Sequence, residues 1–317
     1  GMLRRTVLAG LGTAIVSPFA DVQIVRAADP VTMRVGNVPI DSSSEIFAAQ
    51  SAGFLAKNGI TIEIQDFTNG NAIAAAVVSG SLDCGGTNVL SLAAAHEKGL
   101  PLKIAASGST YTTKNPTTVM LVPKASSLQA ARDLSGKVVA VNVLQGIAHV
   151  SAESWIDKSG GDSKQVKFIE LPFSAMPAAL GANRVDAAVV AEPQLTQSRN
   201  DTRVFGKSYD GIGDLWMIDA WSVSEAWINA NPDVARRFSD AMQQAAVWAN
   251  HNHDKTAELV SAATKIDISI VREMRRATFL EHVNLGVVQP VIDVGAQYGA
   301  LSARFPAADL FYPGALH

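Results

Sequence analysis

The sequence predicts an α/β protein of two units, each a mostly parallel sheet flanked by helices. Three observations carry this. Past residue 30, β-rich stretches alternate with stretches of helical spacing for about seventy residues. The same alternation restarts after Pro116. From Asn231 onward the pattern is helical alone. Strands that alternate with helices favour a parallel sheet covered on both faces.

The elements follow in order. Residues 31–38 are β-rich and partly alternating, so the first strand is expected there. The run Asp41, Ser42, Ser43, Ser44 offers helix N-caps. Ile46, Phe47, Ala49, Phe54 and Leu55 then predict one helix over 45–58, stopped by Gly59. Alternating Ile60, Ile62, Ile64 and Phe67 give a second strand. A turn at 68–71, a small-residue helix over 72–79, a short strand at 82–85, a helix capped by Thr87 and Asn88, and a strand at 102–107 complete the first unit. In the second unit strands are expected at 119–122, 137–142, 166–171 and 185–190, with helices at 127–133, 147–159 and 175–183. Polar, Gly-containing stretches at 111–115 and 205–216 read as hinges. Asn231 and Pro232 start a long helix, and further helices are expected at 254–264, 269–278 and 287–298.

Composition narrows the function. The 317 residues suit about two domains. A formal net charge of -3 with no basic stripe speaks against a nucleic-acid partner. The single cysteine, Cys84, can form neither an internal disulfide nor a cysteine-rich metal site, and reads as a core residue. Gly1 ahead of Met2 reads as a tag remnant. Arg4 and Arg5, an apolar run over 7–19, and Val25-Arg26-Ala27 before Ala28 have the layout of a secretory signal over 1–28, with twin-arginine character. No stretch is long and apolar enough for a confident membrane span.

Several strings then point to one family. Met33-Arg34-Val35-Gly36 opens the first strand, and Gly53-Phe54 through Gly59-Ile60 links to the second. Ser79-Gly80-Ser81-Leu82-Asp83 precedes the third. Asp133-Leu134-Ser135-Gly136-Lys137 enters the second unit, and Val185-Asp186-Ala187 through Glu192-Pro193 ends a strand. Gln289-Pro290 through Tyr298-Gly299 lies in the last helix. In this order, over about residues 31–305, the chain resembles the nitrate/sulfonate/taurine-type substrate-binding proteins of ABC importers. The resemblance implies a type II periplasmic-binding-protein fold, two lobes joined by two crossover hinges, with the ligand in a cleft that closes by hinge motion. It implies lobe 1 over 29–115 and 217–317, lobe 2 over 116–216, and the C-terminal helices packed back on lobe 1. A periplasmic monomer that serves a membrane permease is expected, with no cofactor and no metal.

In open α/β sheets ligands bind beyond the carboxyl ends of the strands. Helix N-termini there carry unpaired N–H groups and about +0.5 charge, so they hold anions without arginine. Asn37, Pro39, Asp41, Ser42 and Ser43 follow the first strand; Asn69 and Gly70 follow the second; Thr87 and Asn88 follow the third. In the second unit the matching positions are Asn142, Gln145, Gly146, Ile147 and Glu192. Each alone serves as well as a helix cap, and the two roles are compatible. Glu192 suits a ligand amine or ring N–H and would repel a bare nitrate or sulfate; it reads equally as a capping or surface carboxylate. Trp216 is placed either to stack on a planar ligand or to fill the lobe interface.

No enzyme motif stands out. The chain lacks a Gly-x-Ser-x-Gly elbow, a P-loop and a His-Glu-x-x-His pair. His251 and His253 lie two apart on a polar helix edge, and His149 is the one histidine expected near the cleft. One enzyme branch resembles the same fold, the pyrimidine-precursor synthase of thiamine biosynthesis, but it calls for a cysteine-rich loop and iron. A sensory ligand-binding protein is the third reading. The ligand expected is a small polar organic molecule (a sulfonate, taurine-like or an N-heterocycle) or an oxyanion.

Overall fold

The computed structural model describes residues 30–316. The expected signal segment at 1–28 lies outside the described residues. The first sheet starts with β1 (Val31–Asn37), then α1 (Glu45–Ser51), α2 (Phe54–Lys57), β2 (Ile60–Asp66), α3 (Gly70–Val78), β3 (Cys84–Asn88), α4 (Val89–Glu97) and β4 (Leu102–Ser107). The chain leaves through β5 (Ser109–Thr112) and enters a second unit: β6 (Thr118–Pro123), β7 (Val138–Val141), α5 (Ile147–Lys158), β8 (Lys167–Glu170), α6 (Met176–Gly181), β9 (Ala187–Ala191), α7 (Gln194–Gln197) and β10 (Thr202–Gly206). It returns through β11 (Leu215–Met217) and β12 (Asp219–Ser224). The remainder is α8 (Glu225–Ala230), α9 (Pro232–His251), α10 (His253–Thr264), α11 (Ile268–Glu273), β13 (Thr278–Phe279) and α12 (Gln289–Gln297).

The first sheet has the order β2-β1-β3-β12-β4, and the second β10-β6-β9-β7-β8. In the first, β1 pairs parallel with β2 and β3, and β12 runs antiparallel between β3 and β4. In the second, β7 pairs parallel with β8 and β9, and β6 is antiparallel to both its neighbours. Each sheet is therefore mostly parallel with one reversed strand. The reversed strand of the first sheet is the one that returns from the second, and it brings residues from late in the chain into the middle of the first sheet.

Strands run into both stretches expected as hinges: β5 ends at Thr112, and 205–216 holds the end of β10, a 3-10 turn at Ser208–Gly211 and the start of β11. β5 pairs antiparallel with β11, setting Trp216 opposite Tyr111, and β13 pairs with the other edge of β5. The three rings of Tyr111, Tyr209 and Trp216 pack with centroids 4.9–5.5 Å apart. Trp216 is fully buried, and its indole N–H donates to the Tyr209 carbonyl at 3.2 Å.

Several local expectations shift. The single helix over 45–58 is broken, because Gly53 sits at φ +78°, a left-handed conformation that ends α1 before α2 begins. The third strand extends through Asn88, so Thr87 lies inside it and Asn88 alone caps α4. The segment 127–133 holds only a 3-10 turn, Ala131–Leu134. The helix expected to 278 ends at Glu273, which frees Thr278 to join the crossing sheet. Of the C-terminal helices, α9 packs Phe238, Met242 and Ala245 on the first sheet. By contrast α12 touches both α4 and α5, and the Tyr298 hydroxyl at its end lies 3.1 Å from Asp157 of α5. The C-terminal part thus reaches both units and not the first alone.

Candidate functional site

A cavity of about 50 Å³ lies between the carboxyl ends of the two sheets. That is room for a few water-sized particles, hence for a ligand of a handful of heavy atoms. Ser42, Ser43, Gly70, Thr87 and Asn88 line one side, with Val38, Ile40 and Gly86. Thr118, Asn142, Ile147, Phe173, Ala191 and Tyr209 line the other. Ile218 and Asp219, where the chain re-enters the first sheet, close the floor.

Three helix N-termini meet here. Gly70 is the first residue of α3, Asn88 is the N-cap of α4, and Ile147 is the first residue of α5. Each helix has at least nine residues, long enough to present a useful partial positive charge. Asn88 uses its Oδ1 to accept from the Ser91 N–H at 2.9 Å, and Asn69 accepts from Ala72 at 3.0 Å. Glycine at position 70 is a steric requirement: a Cβ there would stand 1.9 Å from the Thr87 hydroxyl. That hydroxyl is buried and has no hydrogen-bond partner.

Asp219 provides the opposite charge. Its Oδ1 accepts from the Ser109 N–H at 2.8 Å and from the Ser109 hydroxyl at 3.0 Å. Burial pushes its carboxyl up to about 7, against the Ser109 hydrogen bonds that favour the anion. Neither lysine nor arginine lines the cavity. The cavity is thus bipolar, with helix N-termini on both walls and a carboxyl on the floor.

The structure sorts the expected residues. Ser42, Ser43, Gly70, Thr87, Asn88, Asn142 and Ile147 reach the cavity lining. Asn69 and Gly146 sit behind it as the N-caps of α3 and α5. Pro39 lies between the lining residues Val38 and Ile40. Gln145 is exposed at φ 59° on an outer groove, where its N–H donates to His149 Nδ1. That histidine is buried beside Phe168, and burial lowers it to about 4.

Besides Gln145, four of the expected residues face elsewhere than the cavity lining. Asp41 is 1% exposed and points away from the cavity, gripped by the Arg276 Nε at 3.0 Å and by the Ala277 N–H. Burial still raises its carboxyl, with Arg276 offsetting part of the cost. Glu192 turns back on α7, where its two oxygens accept from the Thr196 N–H and hydroxyl at 3.0 and 2.9 Å. Trp216 belongs to the ring cluster of the crossing strands, its ring enclosed by Tyr111 and Tyr209. Asn37 is fully buried below the cavity, with neither amide atom partnered.

Sequence reasoning missed Asp219, Tyr209, Thr118 and Phe173. Asp219 opens a strand of buried alternating residues, and only its position next to Asn88 of β3 places it on the cavity floor. The carboxylates of the recurring strings hold the fold instead. Asp83 binds Arg34 at 2.8 Å, Asp133 accepts from the Gln129 and Ala130 N–H groups, and Asp186 accepts from the Val138 N–H.

Two α/β sheets, crossing strands between them and a cavity at their facing carboxyl ends define a two-lobed ligand-binding fold of the periplasmic-binding-protein type. The family described as NMT1/THI5 like matches residues 42–256, and the chain belongs to it. Over 189 residues the chain is 26% identical to the taurine-binding periplasmic protein of Escherichia coli (strain K12), covering 59% of this chain and 57% of that protein. The match therefore spans a little over half the length of that relative. Among solved structures, the alkanesulfonate-binding protein SsuA from Xanthomonas axonopodis pv. citri, bound to MOPS, superimposes with a TM-score of 0.73 at 20% identity. It covers 90% of this chain and 99% of that one. The periplasmic nitrate-binding protein NrtA from Synechocystis PCC 6803 gives 0.72 at 15% identity, over 88% and 84% of the two chains.

Proposed function

We propose that this protein is the solute-binding component of an ABC-type importer and that it captures a small zwitterion of the aminosulfonate type. The bipolar cavity carries the reading. Three helix N-termini suit a sulfonate, and Asp219 suits an ammonium a few bonds away. The family and the relatives named for taurine, alkanesulfonate and nitrate binding support the binding role. In this reading the protein works in the periplasm, the lobes comprise 29–115 with 217–317 and 116–216, and a membrane permease receives the cargo from the closed form.

The enzyme reading finds less support at this site. Cys84 packs in the core of the first sheet, and burial drives its thiol far up. The titratable residues of the cavity lining are Asp219 and Tyr209.

Calorimetric titration with taurine and with ethanesulfonate tests the proposal. Asp219→Asn keeps an acceptor for Ser109 but removes the charge. It should weaken taurine by about 2–3 kcal/mol, roughly 30- to 150-fold, and change ethanesulfonate less than threefold. Equal losses for both ligands would remove Asp219 from ligand selection. Failure of taurine to bind the wild-type protein would end the aminosulfonate reading.

A further inference from the structure

We propose that the cleft takes up a ligand cation in exchange for a proton on Asp219, with Glu45 behind it held as a permanently neutral acid. This rests on the reading of Asp219 as the partner of a ligand ammonium. The step balances simply: the ammonium enters with its charge, the Asp219 carboxyl gives its proton to the solvent buffer, and an ammonium–carboxylate pair remains.

The geometry behind the cavity carries the inference. Alternation along β12 sends Asp219, Trp221 and Val223 to one face, the face whose core holds Val35, Ile46 and Cys84. Asn37, two residues after Val35, shares it. There the Trp221 indole N–H donates to Glu45 Oε2 at 2.8 Å. Glu45 is 1% exposed, and its Oε1 has no partner. Ser44 Oγ and both amide atoms of Asn37 are likewise buried and unpartnered. A carboxylate with one oxygen sealed and unpaired is costly, so Glu45 keeps its proton. Burial raises it, and the negative charge of an ionised Asp219 raises it further. Asp219 on the cavity floor and Glu45 behind it therefore share one face, and among the described residues no lysine, arginine or histidine pairs with either carboxyl.

The groups on neighbouring elements are committed elsewhere. Beside β12, β3 brings Cys84 and β5 brings Tyr111. On β4, Lys103 sits at the opposite end of the sheet with Glu225 of α8. α3 has no titratable residue, and His96 and Glu97 lie at the far end of α4. Asp41, in the loop before α1, is held by Arg276, with His253 of α10 nearby. Against α1, Lys57 of α2 lies over Phe54. On α9, Arg236 and Arg237 pair with Asp233 and Asp240, and His251 meets the Val247 carbonyl. On α10, Lys255 lies over Trp248 and Glu258 pairs with Arg272. Tyr209 contributes only a phenol, which burial keeps neutral.

With half of Asp219 protonated near pH 7, the Kd for taurine should rise about tenfold from pH 8 to pH 6, because only the ionised fraction binds. An alkylammonium stays charged over that range. The experiment has two arms. In the first, taurine is titrated at pH 7 in two buffers of different ionisation enthalpy, into wild type, Asp219→Asn and Glu45→Gln. Wild type should release about half a proton per ligand and Asp219→Asn none. Glu45→Gln should match wild type, since a neutral amide replaces a neutral acid. In the second, the infrared carboxylic-acid band of the ligand-free protein is followed from pH 6 to pH 8. A component that bleaches with pH in wild type and is missing in Asp219→Asn supports the proposal. Buffer-independent heats in wild type, or release that persists in Asp219→Asn, overturns it. So does release altered in Glu45→Gln. A missing band overturns the proton on Asp219 itself, whereas an intact band without taurine binding overturns the ligand, and the exchange with it.

Discussion

Arg276→Ala is the substitution whose consequence the structure fixes most tightly. The Arg276 Nε donates to Asp41 at 3.0 Å, and its remaining nitrogens reach the His253 carbonyl and the Thr256 hydroxyl. Asp41 and Arg276 are about 1% and 10% exposed. Removing one partner of a pair this buried costs about 3–5 kcal/mol, because the other charge stays behind without compensation. At about 2 °C per kcal/mol for a chain of this size, Tm should fall by about 6–10 °C. Burial already raises the Asp41 carboxyl. Without Arg276 it can take up a proton, so the loss should be smaller at pH 5 than at pH 8. Asp41→Asn combined with Arg276→Met should recover much of the stability, since the pair leaves together. The same loop carries Ser42 and Ser43 into the cavity, so ligand affinity should drop as well. Calorimetric melts at both pH values provide the measurement. A loss under 1 kcal/mol at pH 8, or a loss that grows on acidification, would refute the view that Asp41 is a buried anchor.

Three further outcomes are expected. Glu192→Gln should change ligand affinity less than threefold, because the Glu192 oxygens serve Thr196 and not the cavity; a tenfold loss in a titration would return Glu192 to the site. Gly70→Ala should weaken binding at least tenfold, since its Cβ must displace the Thr87 hydroxyl at the mouth of α3, and titration of a variant that still melts cooperatively decides it. Stability of the ligand-free protein should fall between pH 6.5 and pH 8. Asp219, Glu192 and Glu153 are all raised to about 7 by burial. They hold protons more tightly folded than unfolded, so their stabilisation is complete at low pH and is lost as pH rises through about 7. Each gives up roughly 0.8 kcal/mol over that window, a little over 2 kcal/mol together. His149, lowered to about 4, acts in the opposite sense as pH rises past its unfolded value of about 6.5, offsetting roughly 0.4 kcal/mol of the fall. Urea titrations at the two pH values would show the fall, and a rise would contradict it.

The sequence by itself determined the alternation of strands and helices and the turns that join them. Period-two apolar runs and Asn or Gly at strand–helix junctions are local signals, and a helix N-terminus needs its cap wherever it lies. That is why Gly70, Asn88 and Ile147 were legible before any coordinates. The strings that carry the resemblance were legible for the same reason: Asp83, Asp133 and Asp186 answer to backbone and side-chain partners close by in this fold. What a carboxylate or a tryptophan faces is not a local property. Glu192 at a strand end can point into a cleft or back onto the next helix turn, and Thr196 four residues on decided the matter. Trp216 could meet a ligand or two tyrosines, and the pairing of β11 with β5 chose the tyrosines. Asp219 is the clearest case. It lies 131 positions from Asn88 in the chain, yet the antiparallel insertion of β12 beside β3 sets the two side by side. Only tertiary structure could bring that charge beneath three helix N-termini, because the charge pattern of a cleft is set by which distant strands become neighbours.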